Sequence, residues 1–448
     1  MVLNPPHALL EQMAQRLSAR GSLRIVMLSD LGFEYGAGAA MRRQIQSLLL
    51  DGHEVAVVCA GSLHEGRVVA ASDPGVAALV PRGREFSGTW LGVHSVPAAA
   101  CMDSRQRRRC DPELLAMVAW LQPDLVIAGN LHWAGWSAAV LEALTRRGIA
   151  TVAYMHDLHH LTGRCAHPYT CRKFLTGCDA SCPTAEKYPA LSSELIADEW
   201  MVRRHVFVET AVPLVANSTW TKASADAAFG NAATVDIVRL GVDTKLFAPI
   251  DRSLARHLLG VDEKPTVLFG AVDVGQVEKG GVVLQHVVDI LQREGINFVA
   301  FGYGSAAYRG VRGLGYVSDE RQMPILYAAC DCYLSASAVE SFGQTVLEAS
   351  ACARPVVTLR GGGIVDIARD GVNGRTIADA EPRLIADVVR EIACDAAARD
   401  HFGAAGRLIA EREFSLDAQA ASWRAWMSSQ GEPRASREQG QSMSEARP

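Results

Sequence analysis

Apolar runs and helix-spaced repeats alternate in two blocks along the chain. The first twenty residues space their apolar positions as a short amphipathic helix. L-R-I-V-M-L-S-D (Leu23 to Asp30) is a continuous β-branched run, the pattern of a strand buried on both faces. The glycine-rich L-G-F-E-Y-G-A-G-A-A predicts a loop. A-A-M-R-R-Q-I-Q-S-L-L-L predicts a helix stopping at Asp51-Gly52, and H-E-V-A-V-V-C a second strand, which completes a βαβ unit. P-D-L-V-I-A-G-N (Pro123 to Asn130), I-A-T-V-A-Y-M-H-D and P-L-V-A-N-S (Pro213 to Ser218) continue as strands, with W-S-A-A-V-L-E-A-L-T-R-R-G and T-W-T-K-A-S-A-D-A-A-F as helices. A second series starts near Pro265 with P-T-V-L-F-G-A-V-D and runs through I-N-F-V-A-F-G, D-C-Y-L-S-A-S and R-P-V-V-T-L-R.

Two separate β/α series predict an α/β protein of two doubly wound, Rossmann-like domains facing each other across a cleft. We place the N-terminal Rossmann-like domain at residues 1–220, with a cysteine-rich insertion at 158–190, and the C-terminal Rossmann-like domain at 221–402. Residues 403–428 predict a helix packing back on the N-terminal domain, and the polar stretch 429–448 a disordered tail. The segment from Asp243 to Lys264 reads as a hinge.

With 448 residues and 49% hydrophobic content, the chain is too long for one core and suits two. A net charge of −5 gives no general bias toward nucleic acid, and Arg105 to Arg109 (R-Q-R-R-R) reads as a solvated loop. The opening residues lack the unbroken apolar segment of a signal peptide, and no stretch approaches the roughly 20 residues of a membrane helix. A cytoplasmic protein, touching a membrane from the side at most, is expected. Of eleven cysteines, Cys59, Cys330 and Cys352 sit singly in apolar runs and read as reduced core residues.

V-E-S-F-G-Q-T-V-L-E-A-S-A-C places Glu340 and Glu348 eight positions apart around Gly343. If Glu340 lies in the preceding loop and a helix starts near Ser341, the carboxylates stand up to roughly 12 Å apart. That exceeds the roughly 5–9.5 Å of a hydrolase pair acting on one glycosidic bond. They suit two ends of one elongated ligand, with a phosphate-binding helix N-terminus between them. The segment E-S-F-G-Q-T-V-L-E-A-S-A-C-A-R-P-V-V closely resembles the E-x7-E segment of retaining glycosyltransferases of family 4, which use nucleotide sugars and have the GT-B fold. Gly361 to Arg375, L-G-V-D-T-K-L-F-A-P, G-Y-V-S-D-E-R-Q-M-P-I-L-Y-A-A-C-D and Lys279-Gly280 resemble that family too, and the likeness runs from about Leu23 to Met427.

The resemblance implies a role for each matching residue. Glu340 would bind the donor sugar, Glu348 the ribose, and Lys279 would neutralise the diphosphate. Backbone amides at Phe342, Gly343, Gln344, Gly362 and Gly363 would support the donor. His156 would lie against the donor sugar, and Gly36 and Gly38 in a loop closing over the phosphates. Glu340, His156 and Lys279 are thus the catalytic candidates, and charge neutralisation of the leaving nucleoside diphosphate would drive the reaction without a required metal or other cofactor. Asp157 and Trp133 are acceptor candidates. The family usually has an arginine after the first glycine of the donor-domain strand; here Ala271 follows Gly270, leaving Arg239 or Arg360 as substitutes.

The stretch T-V-A-Y-M-H-D-L-H-H-L-T-G-R-C-A-H-P-Y-T-C-R-K-F-L-T-G-C-D-A-S-C-P resembles a polysaccharide-cluster branch of family 4 with a four-cysteine insertion. Cys165, Cys171, Cys178 and Cys182 follow C-x5-C-x6-C-x3-C, open to a structural zinc, to two disulfides or to packed thiols. The implied reaction moves a sugar from a nucleoside-diphosphate donor to a glycan or lipid-linked acceptor in surface polysaccharide synthesis, with peripheral contact at the inner membrane. A nucleotide-sugar epimerase of the same fold and a non-catalytic, metal-stabilised binding protein are the rival readings.

Overall fold

The computed structural model describes residues 5–30, 32–33, 35–60, 86–96 and 104–432, without the side chains of 104–111. The chain forms two compact units, Met1–Arg239 with Gln419–Pro448, and Leu240–Ala418. Each is built on an all-parallel sheet. The first has strands β1 (Arg24–Ser29), β2 (Glu54–Ala60), β3 (Thr89–Val96), β4 (Leu125–Ala128), β5 (Thr151–Met155), β6 (Leu214–Ala216) and β7 (Val235–Ile237), in the order β3-β2-β1-β4-β5-β6-β7.

The second unit has β8 (Thr266–Asp273), β9 (Asn297–Tyr303), β10 (Arg312–Gly313), β11 (Cys332–Ser335), β12 (Val356–Leu359) and β13 (Gly374–Ile377). Its order, β10-β9-β8-β11-β12-β13, follows the same winding scheme. In both sheets the chain turns back from one side to the other, between β1 and β4 and between β8 and β11. Ligands of doubly wound sheets bind outside the carboxyl ends of the strands at such a reversal. Strand residues such as Ile25, Val57, Ile127 and Val152 are fully buried, as helices on both faces require.

The first unit extends further than residue 220. Ser218 caps the helix Thr219–Phe229 through a reciprocal capping box with Thr221, and that helix leads into β7, paired to β6. The segment read as a hinge contains the helix Arg252–Leu259, whose Ala255 packs on Ala328 and Ala329 in the second unit. Residues 403–428 are two helices rather than one. The helix Ala396–Glu413 stays with the second unit, where Arg407 donates to the carbonyls of Phe247, Ala351 and Thr244. The helix Leu416–Ser429 returns to the first unit: Trp426 Nε1 donates to Asp236 at 2.8 Å, and the fully buried Trp423 packs on Tyr154.

That helix runs to Ser429 and Gln430 is buried, so the polar tail starts later than residue 429; residues 433–448 lie outside the described residues. Arg105 to Arg109 fall inside the helix Ser104–Leu121 rather than a loop, in keeping with the helical preference of arginine and glutamine.

The foot of β11 is fixed by charge. Asp331 is fully buried and meets Arg256 at 2.7 Å, Arg252 at 2.9 Å and Arg399 at 3.3 Å, while accepting the Thr266 amide at 2.8 Å. Removing one member of such a group strands buried charge. Asp331→Ala is therefore expected to lower unfolding free energy by about 3–5 kcal/mol, read from urea denaturation.

Candidate functional site

Lys279 follows β8, Glu340 follows β11, and these two strands flank the reversal of the second sheet. The loops are pressed together: the Ala338 amide donates to the Glu278 carbonyl at 3.1 Å, and a Cβ on Gly280 would come 2.4 Å from the Ala336 carbonyl oxygen. Only glycine permits that approach. The contact brings the Lys279 ammonium to 2.7 Å from Glu340 Oε1, with both side chains about a quarter exposed. Glu340 pairs with Gly362 by an isolated bridge, and its carbonyl accepts the Gly363 amide at 2.7 Å. That amide is thus engaged in holding the Glu340 loop.

The next helix runs Gln344–Ala351, three residues later than the start expected at Ser341. Gly343 at φ 99° is left-handed, a conformation that cannot continue a right-handed helix and that a side chain would strain. Phe342, Gly343 and Gln344 therefore form the entry to the helix, where first-turn amides lack intrahelical acceptors. Glu348 lies on this helix, 7% exposed, and accepts the Tyr327 hydroxyl at 2.9 Å. Burial, reinforced by the Glu348 carboxylate, holds the Tyr327 phenol well above its usual range. Arg360 follows β12 and reaches Thr376 Oγ1 at 3.5 Å, while Arg239 falls in the first unit.

At the reversal of the first sheet, the ends of β1, β4 and β5 carry a buried polar cluster. Asp30 accepts the Trp133 amide at 2.9 Å and stands 4.0 Å from His132 Nδ1. Asn130 donates to Asp157 Oδ2 at 3.1 Å, and the His159 amide to Asp157 Oδ1 at 2.8 Å. Asp157 therefore fixes the loops around His156. Burial raises its carboxyl pKa. His156 lies edge-on to Tyr154 at 5.0 Å, and its buried Nε2 has no hydrogen-bond partner. Burial, with a smaller contribution from His132, lowers its pKa to about 4, so the ring is neutral at pH 7. Burial lowers His160 to about 3 and pushes His132 down as well.

Trp133 packs partly buried against the first core, and Gly36 and Gly38 lie in the first turn of the helix Tyr35–Leu50 rather than in a loop. Four members of this cluster carry no motif of their own: Asp30, Asn130, His132 and Arg203. Their signal was position, since the first three follow apolar strand runs. Arg203 ties the cluster to its surroundings, bonding His159 Nε2 at 3.0 Å and the carbonyls of Thr162 and Gly163. Among the described residues, no three His, Cys, Asp or Glu side chains stand in a metal-holding arrangement, and no helix is long and apolar enough to cross a membrane.

Residues 36–246 match the model described as Glycosyltransferase Family 4, and residues 278–409 match Glycosyl transferases group 1. Two glycosyltransferase models thus match consecutive stretches of the chain. A D-inositol 3-phosphate glycosyltransferase of Nocardioides sp. is 29% identical over 257 residues, 51% of this chain and 55% of that relative. Another, from Geodermatophilus obscurus, is 31% identical over 194 residues, 38% and 43% of the two chains. The chain spans about half the length of the curated relatives it matches.

The Anabaena protein HepE, solved with UDP and glucose, superposes with a TM-score of 0.65 at 19% identity, covering 91% of this chain and all of that one. Sucrose-phosphate synthase of Thermosynechococcus elongatus gives 0.68 at 18% identity, covering 90% and 98%. The fold is GT-B, with two Rossmann-like domains. The Lys279–Glu340 pair lies within the stretch that matches the group 1 model, and His156 within the stretch that matches the family 4 model.

The buried imidazoles set an acid limit on stability. An unfolded histidine titrates near pH 6.5, whereas His156 and His160 titrate at about 4 and about 3 in the fold. Between those values the unfolded chain binds the extra protons, so stability is full above about pH 6.5 and falls as pH drops toward 4. Asp157 works in the opposite sense, because its protonation relieves the cost of burial. We expect the urea midpoint to fall over this interval. His160→Leu should flatten the decline by up to about 1.4 kcal/mol per pH unit, the value of one proton.

Proposed function

We propose that this protein transfers a hexose from a nucleoside diphosphate, with retention at the anomeric carbon, to a hydroxyl of a glycan or lipid-linked acceptor during surface polysaccharide synthesis. The observation that carries the reading is the Lys279–Glu340 pair at the reversal of the second sheet, beside the entry to the Gln344–Ala351 helix. A diphosphate there meets an ammonium and first-turn amides. Glu340, relieved of part of its pairing as Lys279 turns to phosphate, accepts hydrogen bonds from sugar hydroxyls. Glu348, held by Tyr327, takes the ribose. As the glycosidic bond breaks, negative charge grows on the leaving diphosphate. Lys279 stabilises that charge more than it stabilises the ground state, which is what lowers a barrier.

The neutral imidazole of His156 offers a hydrogen bond to a sugar without adding charge. The ends of β1 and β5, bearing Asp30 and Asp157, suit an acceptor rich in hydroxyls. The polysaccharide role and a peripheral position at the inner membrane rest on the resemblance of the cysteine-rich stretch. No cofactor is required for this chemistry.

Incubation with UDP-, GDP- and ADP-hexoses and candidate acceptors, D-inositol 3-phosphate included, tests the proposal. Nucleotide release with a product of retained configuration by NMR is expected. Lys279→Ala and Glu340→Gln should each lower kcat/KM by about 10²–10³-fold, the scale for losing one charge-stabilising group. An epimerised donor without transfer would establish the epimerase instead. Absence of calorimetric binding to any nucleoside diphosphate would leave a binding protein.

A further inference from the structure

We infer that Cys165, Cys171, Cys178 and Cys182 form a tetrathiolate site for one Zn²⁺, which pins the segment between β5 and the helix Ile196–Arg204. The four cysteines are spread over eighteen residues, yet all line one cavity of about 10 Å³. That is about the room of a single small sphere. None of the four is in a disulfide. Between residues 162 and 192, all of them described, the only regular element is the three-residue turn Lys173–Leu175. A stretch that long without secondary structure in a compact unit needs another source of order, and metal–ligand bonds supply one.

The surroundings suit the ion. Zinc with four thiolates carries two net negative charges, and Arg164 lines the same cavity, as does Lys173, which pairs with Asp179 at 2.7 Å. Arg164 is 4% exposed and donates to the Pro189 carbonyl at 2.8 Å and to Thr184 Oγ1 at 3.1 Å. The Thr184 hydroxyl in turn stands 4.0 Å from Cys165 Sγ and 3.8 Å from Cys182 Sγ. Outer contacts of this kind orient thiolate ligands. The four thiols do not stand at metal-ligand spacing, so binding requires them to move closer together. Their backbone carries no sheet ladder that would resist it.

The site has a structural consequence. The pinned segment carries Tyr188, whose ring meets His132 edge-on at 5.7 Å, and Thr162 and Gly163, whose carbonyls Arg203 holds. The ion thus steadies the wall beside His156 and Asp157. This inference stands on the cysteine geometry and not on the transferase reading.

The test is metal content of the full chain, purified with zinc under reducing conditions. About one zinc per chain is expected by mass spectrometry, the stoichiometry of a four-ligand site. Cys171→Ser and Cys182→Ser should reduce it severalfold, and Cys394→Ser, at an exposed position remote in sequence, should leave it unchanged. Because the serine variants could fail to fold, the wild-type protein provides two further readouts. Cobalt loading should give the intense visible absorption of a tetrahedral thiolate centre. Iodoacetamide should label the four cysteines only after a chelator is added. Metal-free protein with all four thiols readily alkylated, disulfides among them on non-reducing peptide mapping, or undiminished zinc in the Cys171→Ser/Cys182→Ser double variant would each overturn the inference.

Discussion

The close passage of two loops at Gly280 is the constraint from which the second unit's site follows. β8 and β11 are neighbours in the sheet although two strands and two helices separate them in sequence. Their outgoing loops therefore leave side by side. Gly280 against the Ala336 carbonyl, and the Ala338 amide on the Glu278 carbonyl, set their separation to backbone contact. Lys279 and Glu340 are 61 residues apart and come within 2.7 Å because the residue beside each is locked. A partly exposed ion pair contributes little to stability by itself. Its value here is positional: the backbone fixes where the two charges sit.

The first unit makes a different compromise. At its reversal, two carboxylates and several imidazoles sit away from water, where charge is costly. Neutral histidines keep that cost tolerable, and the hydrogen bonds of Asp157 to Asn130 and the His159 amide hold its oxygens in place. Arg203 balances part of the charge while fastening the loop that follows. Such a cluster destabilises the isolated fold relative to an apolar filling. Its persistence at the strand ends is consistent with a binding role.

The two-domain α/β plan was legible because fully buried parallel strands give long apolar β-branched runs, as at Leu23 to Asp30 and Thr266 to Gly270. Strands without that signature were invisible. β7 and β10 have three and two residues, and β3 (T-W-L-G-V-H-S-V) is half-exposed at a sheet edge with a glycine inside it. Missing β7 is what moved the unit boundary from Arg239 back to residue 220. Glu340, Lys279 and Glu348 could be singled out from their motifs. The loss of the Gly363 amide to the Glu340 carbonyl could not, since it depends on two loops meeting in space. The helical turn around Gly36 and Gly38 was masked by the usual association of glycine with loops. Asp30 and His132 lack any motif and become conspicuous only once β1 and β4 lie side by side.

Ala271 sharpens the demand on Lys279. Where the family it resembles usually places an arginine, this chain has a methyl group, so a diphosphate bound at the β8 loop, as proposed, would receive no guanidinium from that position. Arg360 reaches Thr376. In the unliganded chain the charge of Lys279 is already matched by Glu340, leaving the pair neutral as a whole. A phosphate must therefore compete with a carboxylate for the same ammonium. The competition is favourable only if Glu340 gains hydrogen bonds in exchange, and sugar hydroxyls beside the diphosphate are suited to provide them. Under the proposed function the pair would discriminate as well as bind: a bare diphosphate would take the lysine and strand the glutamate, whereas a sugar diphosphate would satisfy both.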